Sequence, residues 1–198
     1  MLVVLARHAH SILNLEGRVN GDPAADVPLT DQGRDQARLL GAELAHVDLE
    51  VCICTRFPRT RETAELALAG REVAFEVEPL LDDVNIGDLE GWPLARYREV
   101  KRDLGRRRPF PGGESLDEAA SRYARGFRTL VERGAERVLV VCHEIPVRYA
   151  LNAAAGSGLL DGPPFHDVPN AVPFLFDGGA LERAAARIEE LALRSAHG

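Results

Sequence analysis

Two short apolar runs, Leu2-Val3-Val4-Leu5-Ala6 and Val138-Leu139-Val140-Val141-Cys142, each end directly on a polar site residue: Arg7-His8 after the first, His143 after the second. Runs of this length with no alternation are strands buried on both faces, which is the pattern of a parallel sheet covered by helices. In such sheets ligands bind beyond the carboxyl ends of the strands. Two strand ends that each deliver a histidine, one with an arginine beside it, point to a site for an anion.

The remaining pattern fits that sheet. Val51 to Cys54 and Val73 to Val77 read as further strands, and Val172 to Phe176 as a last one. Thr30 caps a helix to about Val47, and Pro58 suits the first turn of a helix through Ala69. Ser115, with Glu118 three residues on, forms a capping box for a helix to about Val131. Leu94 to Leu104, Pro146 to Ala155 and Leu181 to Leu193 are the other helices. Asn14 to Asp26, residues 82 to 114 outside the short helix, and Gly156 to Pro164 are irregular, punctuated by glycine and proline. Strands alternating with helices predict a layered α/β domain with a largely parallel sheet. With no repeat and no long linker, residues 1–198 are expected to form one domain.

The chain has 198 residues, 45% hydrophobic and 28% charged, values of a globular protein. No stretch approaches the ~18 apolar residues of a membrane span. The first apolar run lacks the basic start and longer core of a signal peptide, so a cytoplasmic location is expected. A net charge of −7 argues against general nucleic-acid binding. Three cysteines, Cys52, Cys54 and Cys142, are an odd count with no zinc-binding spacing; buried reduced thiols are expected. Neither a Gly-x-x-x-x-Gly-Lys-Ser/Thr loop nor a Gly-x-Gly-x-x-Gly turn after a strand is present. An anion must be held by side chains.

Several ordered motifs resemble those of the histidine phosphatase superfamily, the phosphoglycerate-mutase-like proteins. Leu5-Ala6-Arg7-His8-Ala9-His10-Ser11, Asn14 and Gly17-Arg18 are similar to its Arg-His-Gly signature. Pro28-Leu29-Thr30 through Gln36-Ala37, Thr55 through Ala64 and Gly87-Asp88-Leu89-Glu90-Gly91 match successive family segments. Pro111-Gly112-Gly113-Glu114-Ser115, Val140 through His143 with Arg148, and Pro169-Asn170-Ala171 complete the series.

The resemblance implies a three-layer α/β/α sandwich and a metal-independent phosphatase acting on a small phosphorylated molecule, with no cofactor. His8 would be the nucleophile, Arg7 and Arg59 the clamp on the phosphoryl oxygens, and His143 a further donor. Asn14 would add an amide contact, although it could equally cap its loop. The proton donor would be Asp83, four residues before Gly87, with Asp82 as the fallback. A mutase that returns the phosphoryl group to another hydroxyl, and a phosphate-binding module without turnover, stay open as alternatives. Three positions depart from the family pattern. Ala9 and Glu144 replace glycines, and Asp83 replaces a glutamate. Glu144 is placed by position among the candidate substrate-binding residues with Asn14, Arg7 and Arg59; an inward carboxylate would repel an anion, so its side chain is expected to point away.

His8-x-His10 is also similar to the metal-binding pair of amidohydrolase-type enzymes, but those barrels need about 250 residues and eight strand–helix units; His10 is expected at a pocket rim or on the surface. His46, His166 and His197 fall on a predicted helix surface, loop and tail. Lys101-Arg102 and Arg106-Arg107-Arg108 would ordinarily be a solvated face, but they lie in the irregular stretch expected to cover the pocket, and some of these arginines are expected to meet a second anionic group on the substrate.

Overall fold

The computed structural model describes residues 1–195; the predicted tail position of His197 lies outside them. Strands β1 (Leu2–Arg7), β2 (Val51–Cys54), β3 (Ala74–Val77), β4 (Arg137–Cys142) and β5 (Pro173–Asp177) form one sheet in the order β3-β2-β4-β1-β5. All neighbours run parallel except β5, which pairs antiparallel with β1. The helices are α1 (Ile12–Leu15), α2 (Asp31–Glu43), α3 (Pro58–Ala67), α4 (Leu94–Leu104), α5 (Leu116–Glu132), α6 (Glu144–Ala154) and α7 (Gly178–Ser195).

Successive side chains of a strand face opposite ways, and the core splits accordingly. Val3, Leu5, Ile53, Val138 and Val140 pack with Tyr123 and Phe127 of α5, Val147 of α6 and Ile188 of α7. Val4, Ala6, Cys52, Leu139 and Val141 pack with Ala37 and Leu40 of α2 and Ala64 of α3. The result is a three-layer sandwich with helices on both faces of a mostly parallel sheet. A fully buried Val or Leu stabilises such a core by about 1.5–3 kcal/mol. All three cysteines are buried and unbridged, and burial pushes the Cys142 thiol up to about 12. Among the described residues no helix is long and apolar enough to cross a membrane.

Element ends differ from the sequence reading where local contacts override periodicity. Ile12–Leu15 is helical because Ser11 and Asn14 form a capping box inside the expected loop. The turn of α2 ends at Glu43, and residues through Val47 continue as irregular turns that keep Leu44 buried. Helix α6 starts at Glu144, with His143 as its N-cap, so Pro146 sits within the first turn, where a missing N–H costs nothing. Asp177 Oδ1 accepts from Ala180 N at 2.7 Å, which draws the start of α7 back to Gly178.

Two glycines set the frame of the site. A Cβ at Gly33 would lie 2.1 Å from the His10 carbonyl oxygen, so only glycine lets α2 close on the segment after β1. Gly87 has φ +53° and would carry a Cβ 2.1 Å from the Pro111 oxygen, so the 82–87 turn packs on the Pro111–Gly113 turn only without a side chain.

Candidate active site

The central strands β2, β4 and β1 are neighbours, and each chain leaves its strand at the same edge of the sheet. Arg7 ends β1 opposite Cys142 of β4, and His8 N donates to Cys142 O at 2.9 Å. His8 and His143 therefore follow adjacent strand ends, with ring centroids 5.5 Å apart. After β2 the chain turns through Thr55 into α3, where Pro58 occupies the first turn and Arg59 follows. Two histidines and two arginines far apart in sequence thus meet at one edge.

Arg59 is the hub. Its Nε donates to His8 Nε2 at 3.0 Å, and its Nη2 lies 3.2 Å from His143 Nδ1 and 3.1 Å from Asp83 Oδ2. Nη1 donates to Asn20 Oδ1, and Nη2 reaches the Asn20 carbonyl at 3.2 Å. Its guanidinium also covers the Phe57 ring at 4.4 Å. The hydrogen bonds define the His8 tautomer. Ala9 O can only accept, so the 2.7 Å contact puts the proton on Nδ1; guanidinium can only donate, so Nε2 presents its lone pair. Burial, reinforced by the charges of Arg59 and Arg7, holds the His8 pKa well below 6.5. His143 is lowered in the same way, by burial first and then by Arg59. Both rings are neutral near pH 7.

The expected residues converge on a cavity of about 580 Å³. Arg7, His8, Asn14, Arg59, Asp83 and Glu144 line it, and His143 lies fully buried behind Arg59. Asn14 is a cap, its Oδ1 accepting from Ser11 N at 3.1 Å, and the residue also lines the cavity. Between the two acids, Asp83 faces the cavity and lies 3.5 Å from His143 Nδ1. Asp82 turns the other way, onto Arg56 Nε at 2.6 Å. Burial raises the Asp83 pKa above 3.8 against the opposing pull of Arg59. Arg122 of α5 fixes this turn by donating to the Leu80, Asp82 and Asp83 carbonyls at 3.0, 2.9 and 3.2 Å.

Two expectations are corrected. Glu144 does not point away from the cavity. Its Oε2 lies 3.2 Å from Arg7 Nη1, and its Oε1 accepts from Arg148 Nη1 at 2.9 Å. Attraction to these cations outweighs the repulsion expected from an anion site. The triplet Arg106-Arg107-Arg108 is absent from the cavity wall. Gly105, at φ +66°, ends α4 and reverses the chain. Arg106 is then taken up by Asp161 and by Asp117 at 2.8 Å, and Arg108 by backbone carbonyls of α4. From that basic stretch Lys101 faces the cavity, along with Arg98 one turn earlier and Arg18 opposite. His10 stands at the wall, its Nδ1 3.1 Å from Thr30 Oγ1. His166, expected only as a loop residue, lines the cavity too.

Several supporting residues escaped the sequence reading. Asn20 holds Arg59, and Glu90 holds Asn20 through its Nδ2 at 2.6 Å. Asn170 Nδ2 donates to His8 O at 2.7 Å, and Thr63 Oγ1 accepts from Ala9 N at 3.0 Å. Thr55 Oγ1 lies 2.9 Å from His143 Nε2. The pair Asn20-Gly21 inside an irregular stretch was the one available signal; Glu90 and Asn170 lay inside recognised motifs without an assigned task.

Comparison with known proteins agrees with this geometry. The 2,3-bisphosphoglycerate-dependent phosphoglycerate mutase 2 of Gloeobacter violaceus is 34% identical over 76% of this chain and 74% of its own length. An acid phosphatase of Mycobacterium tuberculosis is 34% identical over 71% of this chain and 69% of its own. The alpha-ribazole phosphatase structure from Shigella flexneri superposes with a TM-score of 0.77 over 89% of this chain and 90% of that one; at 23% identity this is a likeness of fold. Residues 3–172 match the family model of the histidine phosphatase superfamily (branch 1), and the chain belongs to that superfamily.

Proposed function

We infer that this chain hydrolyses a small phosphate monoester without a metal, through a phosphohistidine at His8. The observation that carries the reading is the His8 ring: its proton is held on Nδ1 by Ala9 O and its Nε2 lone pair is directed at the cationic centre of the cavity. A neutral imidazole is the form that attacks phosphorus, and burial among arginines keeps it neutral. Arg7 adds support. Its Nε is buried without a hydrogen-bond partner among the described residues, although the side chain lines the cavity. An unsatisfied buried donor of this kind costs free energy that a phosphoryl oxygen recovers.

In the proposed sequence, His8 Nε2 forms a bond to phosphorus as the ester P–O bond breaks. Arg7, Arg59 and the Asn14 amide stabilise the charge on the equatorial oxygens, where positioned donors supply most of the catalysis, and His143, behind Arg59, holds that guanidinium in place. Asp83, protonated, gives its proton to the leaving alkoxide. Water then attacks phosphorus, its proton passes to Asp83, and the N–P bond breaks to release phosphate and restore neutral His8. The raised Asp83 pKa suits this exchange.

A second reading, phosphoryl transfer between hydroxyls, is favoured by the mutase name of the Gloeobacter relative. Release of p-nitrophenol from p-nitrophenyl phosphate in excess EDTA separates the cases. The phosphatase reading expects turnover unaffected by chelation. Turnover that needs an added metal would overturn it, and activity seen only with added bisphosphoglycerate would assign the mutase. Tight vanadate binding without turnover of any ester would leave a binding module.

A further inference from the structure

Glu144 stands where the family signature has glycine, and its carboxylate is fixed from two sides by Arg7 and Arg148. It keeps 31% side-chain exposure and lines the cavity. A phosphate bound on Arg7 would share that guanidinium with Glu144, which would bring the rest of the ester, inside the same cavity, close to the carboxylate. The cations nearest Glu144 are already engaged. Arg148 Nη2 is bonded to Asp161 at 2.9 Å, and Lys101 Nζ lies 3.3 Å from the same carboxylate. Arg7 Nη1 also donates to Val168 O at 2.7 Å.

We propose that Glu144 determines specificity, selecting phosphate esters whose leaving group offers neutral hydroxyl donors beside the ester and rejecting those with a carboxylate or second phosphate there. The inference rests on the phosphatase reading of this same cavity. An ionised carboxylate accepts O–H donors in short, charge-assisted hydrogen bonds. Against a second anion it acts as a built-in repulsive element, and like charges brought together at a partly desolvated site are strongly disfavoured. The opposing feature is Arg98 of α4, which lines the cavity with no partner among the described residues. It could attract a distal anion, and the test sets the two against each other.

Glycerol 3-phosphate and 3-phosphoglycerate differ only by a hydroxymethyl in place of a carboxylate. Wild type is expected to favour glycerol 3-phosphate in kcat/KM by about tenfold or more. Glu144→Gln keeps the shape and removes the charge. It is expected to close most of that gap, chiefly through a lower KM for 3-phosphoglycerate. A wild-type preference for 3-phosphoglycerate, or a ratio that Glu144→Gln does not move, would overturn the proposal. Dissociation constants for the phosphonate analogues of the same pair give the same comparison without turnover. If p-nitrophenyl phosphate is not hydrolysed, the phosphatase reading fails while the phosphonate pair still decides Glu144. Should the glutamine variant not fold, the wild-type preference alone decides.

Discussion

Asp83 sits between opposing influences. Burial raises its pKa, while Arg59 at 3.1 Å and the Val84 N–H at 3.0 Å favour its carboxylate form. In the proposed reaction it must be protonated, so activity is lost as pH rises through its raised value. His8 must be neutral, so activity is lost as pH falls through its lowered value, below 6.5. The kcat/KM of an alkyl phosphate is therefore expected to be bell-shaped against pH. Asp83→Asn is expected to remove the alkaline limb and to lower alkyl phosphate turnover by roughly 10²-fold or more, the usual worth of a general acid. On p-nitrophenyl phosphate, whose phenolate leaves without a proton, the loss is expected to be far smaller. Equal losses on both substrates would remove Asp83 from the acid role.

At the scale of elements, α5 does more than cover the sheet. It buries Leu116, Tyr123, Phe127 and Leu130 against the core, and its Arg122 carries the turn that presents Asp83. Its start is fixed by a reciprocal cap: Ser115 Oγ accepts from Glu118 N at 3.1 Å, and Glu118 Oε2 accepts from Ser115 N at 2.7 Å. The preceding residue, Glu114, binds Arg122 and exchanges hydrogen bonds with Asn85. Ser115→Ala is expected to lower stability by about 1 kcal/mol, read as a lower urea midpoint with an unchanged slope. No change in midpoint would mean that the helix start is held by its neighbours alone.

For the whole molecule, what the sequence revealed follows from the range of each interaction. The unbroken apolar runs of β1 and β4 recorded burial on both faces, and the capping box at Ser115 and Glu118 recorded a helix start; both are local signals. The strand order is not local. The neighbouring strands β1 and β4 are separated in the chain by β2, β3 and five α-helices, and no residue near either names its partner. The candidate site residues Arg7, His8, Arg59 and His143 were legible through ordered motifs, and Asp83 only through its spacing from Gly87. Their supports Asn20 and Asn170 were not, because a single amide in a loop looks the same whether it faces solvent or a guanidinium. Glu144 was misjudged because its repulsion for an anion was considered without Arg148, one helical turn on, and Arg7 across the sheet edge. The arginine triplet was misjudged because one glycine, Gly105, turned it around.

All of these scales serve one neutral imidazole whose Nε2 lone pair is aligned by Arg59 Nε. Rapid acid-free quench of the enzyme with a ³²P-labelled monoester, followed by peptide mapping, tests that claim most directly. An alkali-stable, acid-labile label is expected on the peptide bearing His8, formed and lost at rates that sustain turnover, and absent in His8→Ala. Product released at full rate with no labelled protein, or a label carried by another residue, would contradict the claim.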